Sequence, residues 1–462
     1  MIEHVHFIGI GGTGLSAIAQ VLLERGYKVS GSDQEYSLLA QAVDQAGAKV
    51  MNGHHAENVQ GADIVVRSSA IPDHNVEVQA ARAAGIPVLK RADFLGRLME
   101  GQFGVAIAGT HGKTTTTSMV SWMLSALNQD PTFIVGGVVQ NLGVNAKAGS
   151  GHVFVIEADE YDYMFLGLHP QIAVITNVEH DHPDIFPTPD VFHQAFRDFA
   201  RCLVPGGVLL FCADDEGAAR LASEVNEEQK TLSYGIGSPH SYHAQNLRLN
   251  ELGNFTFDLY KANHEEPEVV GIALQIPGEH NVQNALAALA VADILDLSLP
   301  LAAQALAEFQ GSHRRFEVRG EFAGVTIIDD YAHHPTEIRA TLKAARAKYP
   351  QQTIWAVWQP HTFSRTRTLF EDFTRAFRVA DKVIVTKVFP AREPIPIDFS
   401  AQEIVDAMEH PTARFLPELE DVTEFLVNSL VPGDILIVLT AGNAIQISAQ
   451  LAKRFSSGSI GN

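Results

Sequence analysis

The chain has 462 residues, of which 46% are hydrophobic and 19% charged, and carries a formal net charge of −21 at neutral pH. That length predicts about three domains with ample core, while the acidic balance excludes a broad nucleic-acid or anionic-membrane surface, so an anionic substrate needs a local basic pocket. No apolar run reaches the roughly 18 residues of a membrane span, the start lacks a basic leader, and Cys202 and Cys212 have neither disulfide nor zinc spacing; a cytoplasmic location is expected.

Residues 4 to 10 read as a strand running into Gly9-Ile10-Gly11-Gly12-Thr13-Gly14, and a helix follows with Leu15, Ile18, Ala19 and Leu22 on one face. This is a GxGxxG turn in a strand–turn–helix context, with Asp33 at the end of the next strand. It predicts a diphosphate on a helix N-terminus, and both NAD and a UDP-sugar carry one. Helices around 38–46 and 76–84 alternate with strands KVMNGH and ADIVVRSSAI, which predicts a parallel sheet covered on both faces. Ser68 and Ser69 fall just past a strand's carboxyl end, where such sheets bind ligands; a plain strand terminus explains them equally well.

A second α/β unit starts near Gln102. Apolar Val105–Ala108 leads into Gly109-Thr110-His111-Gly112-Lys113-Thr114-Thr115, and Met119, Trp122, Met123, Ala126 and Leu127 continue at helical spacing. Unpaired N–H groups and the helix dipole favour a phosphate in such a loop. Lys113 supplies a charge for the β- and γ-phosphates, and the hydroxyl of Thr114 or Thr115 can hold Mg²⁺. The loop is shorter than the usual phosphate loop, since only Thr110 and His111 lie between Gly109 and Gly112. The strands VFVIEADE and IAVITNVEHDH then deliver Glu157, Asp159, Glu160 and Asn177, Glu179, Asp181, His182 to strand ends, a carboxylate set that suits Mg²⁺.

Further on, residues around Leu252-Gly253-Asn254 read as a turn between antiparallel strands. The apolar helix after IPGEH has His280 and Asn284 at its start, as caps or as groups that read a nucleobase. Residues 311–320, with Arg314 and Arg315, read as a linker. A third α/β unit follows, its strands GVTIIDD, TIWAVWQP, KVIVTKV and ILIVLT ending in polar clusters that include Asp330, His333, His361 and Arg365; the tail SSGSIGN is expected to fray.

GTHGKTTTT, EADEYD, NVEHDH, PGEHNVQNALAA, RRFE, DDYAHHPTE and QPHTFSRT, in this order and across nearly the whole chain, closely resemble the Mur ligase family, and within it the alanine-adding branch. The resemblance implies an α/β protein of three domains: a Rossmann-like UDP-sugar domain at 1–101, a central P-loop ATPase-type domain at 102–312, and a Rossmann-like domain at 313–462 that helps bind ATP and the amino acid. It implies ATP-dependent addition of L-alanine to UDP-N-acetylmuramate through an acyl phosphate, in cell-wall peptidoglycan synthesis, with Mg²⁺ or alternatively Mn²⁺, no nicotinamide, and a monomer or homodimer. By the same resemblance Gly9, Gly11, Gly12, Thr13, Gly14, Asp33, Ser68 and Ser69 face the UDP-sugar. Lys113, Glu160, His182, Arg315 and His333 are catalytic, and Thr114, Glu160 and His182 hold metal. Residues 109–115, His280, Asn284, Arg315 and Asp330 contact ATP, and His361 and Arg365 lie near the amino acid and its acceptor. Thr362 stands where many relatives carry arginine, and Asn443 where they carry aspartate. Linkers near 101 and 312 are expected to let the domains close, bringing Arg315 to Lys113.

Two other readings compete. A tripeptide-adding ligase of the same family fits EADEYD, although its usual glycine-rich ending is replaced by LTAGNA. A nicotinamide-dependent dehydrogenase fits the N-terminal turn and Asp33 but leaves Gly112-Lys113-Thr114 unexplained.

Overall fold

A computed structural model describes residues 2–225, 229–237 and 240–456; residues 457–462, where fraying is expected, lie outside them. The described residues form three sheets with helices packed on them. The first sheet is parallel, in the order Lys49–Asn52, Lys28–Asp33, His4–Ile8, Ile64–Arg67, Val88–Lys90. Its middle strand His4–Ile8 is buried throughout, as a strand covered on both faces must be.

The central sheet has ten strands. Phe103–Ala108 lies between Ile172–Ile175 and Val153–Glu157, all parallel, so the loops after these three strands open at one edge of the sheet. Tyr242–Leu249 and Phe255–Lys261 form the expected antiparallel pair. Expectation missed several strands here: the hairpin Thr132–Val139 with Val144–Lys147, and Val208–Cys212 with Lys230–Ile236.

The third sheet runs Glu317–Phe322, Val325–Asp330, Ile435–Thr440, Ile354–Gln359, Lys382–Val385, Ala413–Phe415, parallel except for its first strand. That first strand corrects the linker read at 311–320. Glu317–Phe322 is an antiparallel edge strand with a register break between Val318 and Gly320, and its charged residues suit an exposed edge. The bulge and the charges together hid the two-residue alternation.

The junctions between domains are not slack. Near residue 101, helix Arg91–Met99 lies so close to the turn Tyr161–Gly167 that a Cβ on Gly96 would sit 2.3 Å from the Gly167 carbonyl oxygen. Phe94, Leu95 and Leu98 share one apolar core with Phe165 and Leu168. Near residue 312 the chain is pinned to the central sheet: Ser312 bridges Val139, His313 N–H donates to the Val138 carbonyl (3.0 Å), and Ser312 Oγ donates to Ser118 Oγ (2.7 Å).

Candidate active site

The loop after Phe103–Ala108 turns so tightly that only glycine fits at its two ends. Gly109 has φ +138°, and a Cβ there would lie 1.9 Å from Thr176 Oγ1; Gly112 has φ +79°, with a would-be Cβ 2.9 Å from Asn284 Oδ1. The short loop is stapled to the neighbouring strand end: Thr110 Oγ1 donates to the Glu179 carbonyl (2.7 Å), and His111 N–H donates to Asn177 Oδ1 (2.8 Å). Helix Lys113–Ala126 starts at Gly112 without a side-chain cap, leaving its first N–H groups for an anion. Its polar residues are buried because Thr117, Ser118 and Ser121 return their hydroxyls to carbonyls four residues back.

Lys113 Nζ reaches the Gly109 and Thr110 carbonyls and lies 2.9 Å from Glu160 Oε2. Burial disfavours its charge, but Glu160 and Asp159 more than compensate and raise its pKa. Burial likewise opposes ionisation of Glu160, which Lys113 and His182 overcome, so its carboxyl is held below the usual range. His182 Nε2 is 3.5 Å from Glu160 Oε1. Thr114 Oγ1 donates to Glu157 Oε1 (3.0 Å) and receives Arg315 Nη2 at 3.3 Å. A hydroxyl, a nearly fully buried ionised carboxylate and an imidazole thus converge beside the phosphate loop, a donor set that fits Mg²⁺ or Mn²⁺.

A cavity of about 290 Å³ opens beside this loop, lined by Gly112, Thr115, His280, Asn284, Arg315 and Asp330 among others. His280 is driven down to about 4 by burial. Asn284 is engaged within the protein, accepting from Thr116 Oγ1 (3.0 Å) and donating to Asn281 Oδ1 (3.0 Å). Burial lifts Asp330 to about 6, even though it accepts from the N–H groups of Phe316 and Ala332, both at 2.7 Å. Asp330 therefore shapes the backbone on which Arg315 stands. The two adjacent arginines diverge: Arg315 reaches Thr114, whereas Arg314 donates to the Thr440 carbonyl (2.6 Å). Both guanidinium groups lie over the Tyr331 ring.

His333 Nδ1 lies 2.9 Å from the Tyr331 carbonyl oxygen and 3.2 Å from Glu337 Oε2, and its ring faces His361 at 5.9 Å. Burial, aided by His333, drives His361 down to about 3. Arg365 is 3% exposed and forms a two-pronged pair with Asp181, Nε to Oδ1 at 2.6 Å and Nη2 to Oδ2 at 3.2 Å, while Nη1 donates to the His361 carbonyl at 2.7 Å. Asp181 is buried, which favours its neutral form, yet Arg365 holds it well below the ordinary carboxylate range.

In the first domain, Gly11 N–H donates to Asp33 Oδ2 (2.9 Å) and Gln34 N–H to Asp33 Oδ1 (2.8 Å), so Asp33 closes the glycine turn on itself. Gly9, Gly12 and Thr13 lie on that turn, where Gly12 N–H donates to the Gly9 carbonyl and the helix begins at Thr13. Ser68 packs against Gly9, and Ser69 is exposed. Arg91 was not foreseen. Its guanidinium presses on Gly14, where a Cβ would come within 2.0 Å of Nη1, and Nη2 lies 3.3 Å from Asp159 Oδ2. It links the glycine turn to the acidic strand end of the central domain, and nothing in its sequence neighbourhood marks it.

Three family models match the chain in succession: "Mur ligase family, catalytic domain" over residues 4–103, "Mur ligase middle domain" over 107–292, and "Mur ligase, glutamate ligase domain" over 314–442. The chain is 41% identical over 448 residues to UDP-N-acetylmuramate--L-alanine ligase of Caldanaerobacter subterraneus, and 42% identical over 457 residues to the protein of that name in Roseiflexus castenholzii, covering 96% of each chain in both comparisons. It superimposes on the crystal structure of UDP-N-acetylmuramate-alanine ligase from Thermotoga maritima with a TM-score of 0.82 and 28% identity, over 99% of this chain and 100% of that one. A murein peptide ligase from Psychrobacter arcticus shares the fold at a TM-score of 0.73. On the extent of these matches, the chain belongs to the Mur ligase family.

Proposed function

We propose that the protein joins L-alanine to the lactoyl carboxylate of UDP-N-acetylmuramate in peptidoglycan synthesis, converting ATP to ADP and phosphate. The observation that carries this is the convergence of Lys113, Arg315, Glu160 and His182 on the phosphate loop, in a chain that is collinear with alanine-adding relatives. We place the domain borders at 101/102 and 312/313, and the site of action in the cytosol, where nucleotide and UDP-sugar are at hand.

A carboxylate does not acylate an amine at neutral pH, because oxide would have to leave. Transfer of the γ-phosphoryl group to the lactoyl oxygen replaces that leaving group with phosphate. The amine of L-alanine then attacks the acyl carbon, the C–O bond to phosphate breaks, and an amide remains. The first step brings two anions together, so the chain's task is to suppress their repulsion. Lys113 faces the β- and γ-phosphates, and Arg315 closes the other side of the phosphate loop. Thr114, Glu160 and His182 would hold Mg²⁺ or Mn²⁺, which when bound neutralises phosphate oxygens. Residues 109–112 and Thr115 line the loop around the triphosphate, with His280 and Asn284 toward the base and Asp330 fixing the backbone under Arg315. Gly9, Gly11, Gly12, Thr13, Gly14, Asp33, Ser68 and Ser69 form the UDP-sugar side. His333, His361 and Arg365 bound the amino-acid side, and Arg365 acts there through Asp181.

ADP release in the presence of UDP-N-acetylmuramate, measured with L-alanine, glycine, L-serine and the cell-wall tripeptide, tests the reading. L-alanine should be preferred, and oxygen-18 placed in the sugar carboxylate should appear in phosphate. Preference for the tripeptide would move the protein to the recycling branch, and phosphate without label would overturn the acyl-phosphate route.

A further inference from the structure

His111, on the phosphate loop, meets Glu179 and His334, to which the ligase reading gives no role. His111 comes from the phosphate loop, Glu179 from the loop after Ile172–Ile175, and His334 from the N-terminus of helix Pro335–Lys348 in the third domain. One donor atom from each lies within 4.8 Å of the other two. His111 Nε2 is 3.0 Å and His334 Nδ1 3.9 Å from the same oxygen, Glu179 Oε2. A tetrahedral ion with bonds of about 2.0 Å holds its donors roughly 3.3 Å apart, so shifts of about half an ångström satisfy the two distances to Glu179, and the two imidazoles close from within 4.8 Å.

The surroundings are those of a metal site as well. Glu337 Oε1 lies 3.2 Å from His111 Nδ1, a carboxylate–histidine contact that fixes the ring and turns Nε2 toward the cluster. Thr336 Oγ1 donates to Glu179 Oε1 at 2.8 Å, orienting that carboxylate with Oε2 free to face the two imidazoles. His334 is 2% exposed, its Nε2 has no hydrogen-bond partner, and its Nδ1, beside Glu179 Oε2, accepts one long hydrogen bond, from Thr336 N–H at 3.3 Å. Burial, reinforced by His111, lowers His334 to about 4, so its lone pair is available. Burial opposes a charge on His111, but hydrogen bonds to Glu179 and Glu337 push it up to about 9. The cluster is therefore built around a positive charge, which either a proton or an ion can supply.

We propose that His111, Glu179 and His334 form a second cation site, separate from Thr114, Glu160 and His182, that takes a borderline divalent transition metal of the zinc class and clamps the phosphate loop to the third domain. Two imidazoles and one carboxylate select zinc, cobalt or nickel over magnesium. Three protein donors leave a fourth position for water or a phosphate oxygen. Opening of the third domain must break the metal–His334 bond, so the filled site acts as a brake on any step that needs that opening.

Zinc titration of the full-length protein under saturating Mg²⁺, followed by calorimetry, tests the proposal, with Co²⁺ absorption reporting the geometry. One zinc per chain should bind. His334→Asn, which keeps a capping acceptor, and Glu179→Gln, a partly exposed and shape-conserving change, should each weaken binding by about a hundredfold or more. Glu160→Gln should leave zinc affinity unchanged. Failure to bind zinc up to millimolar concentration overturns the site, as does zinc lost in Glu160→Gln but retained in both of the other variants. Because the readout is metal binding, the outcome is independent of whether the ligase reading holds.

Discussion

The pair between Arg365 and Asp181 offers the sharpest test of how the third domain is held. Both side chains are below 5% exposure, and the guanidinium meets the carboxylate through two bonds of 2.6 and 3.2 Å. Removing one partner leaves the other charge buried and unmatched, which costs about 3–5 kcal/mol, whereas removing both costs far less. At about 1.4 kcal/mol per factor of ten, the smaller figure is worth roughly a hundredfold in the equilibrium between docked and undocked arrangements. Arg365→Met also withdraws Nη2 from His182 Nδ1, 3.3 Å away, and so loosens a proposed metal ligand. We expect Asp181→Asn and Arg365→Met each to lower kcat/KM for ATP by about a hundredfold, and the double variant to fall well short of the product of the two losses. The assay is ADP release by the full-length protein, with Trp355 and Trp358 fluorescence checking that the third domain stays folded. Independent, multiplicative losses would refute the idea that the two groups act as one latch.

Lys113→Ala should reduce ADP release by about a hundredfold or more, the scale of removing a preorganised charge from a transition state; an unchanged rate would take Lys113 out of the reaction. A pH effect is expected from the third sheet, where burial lifts both Asp329 and Asp330 to about 6. Their folded pKa values exceed the unfolded value near 4, so the native state binds extra protons between about pH 4 and 6 and loses stability as pH rises through that window, by about 3 kcal/mol for each group. Because His280, His334 and His361, held low by burial, titrate in the opposite sense over the same range, the effect is read as a difference: between about pH 4 and 6 the native sequence should lose about 3 kcal/mol of unfolding free energy relative to Asp330→Asn, and a difference that does not change with pH would contradict the assignment.

What could be read from the sequence was what is local in the chain. Gly109 to Thr115 lie within a single turn and keep their spacing in any fold, and strands such as Ile172–Ile175 and Ile435–Thr440, buried on both faces, announce themselves as continuous apolar runs. Strands that are short, charged or bulged were missed, Glu317–Phe322 most plainly. The contacts that complete the site join residues far apart in the chain. Asp181 was visible only as one acid among several, and its partner Arg365 stands 184 positions away. Glu337 lay unremarked at the end of DDYAHHPTE, yet it meets His111 across 226 positions. Arg314 and Arg315 are indistinguishable as letters; the backbone sends one toward Thr440 and the other into the phosphate loop.

The anchoring of Ser312 and His313 on the central sheet reaches further than the join itself. Arg315 follows that anchor by two residues, a leash of at most about 7 Å of extended chain. A swing of the third sheet would carry off His334 and Glu337 and pull on Arg315 through Asp330 and Phe316, while His313 holds the same stretch to the central sheet. Although it is numbered with the third domain, this guanidinium is strung between two sheets, so that any movement of one against the other is felt at its contact with Thr114.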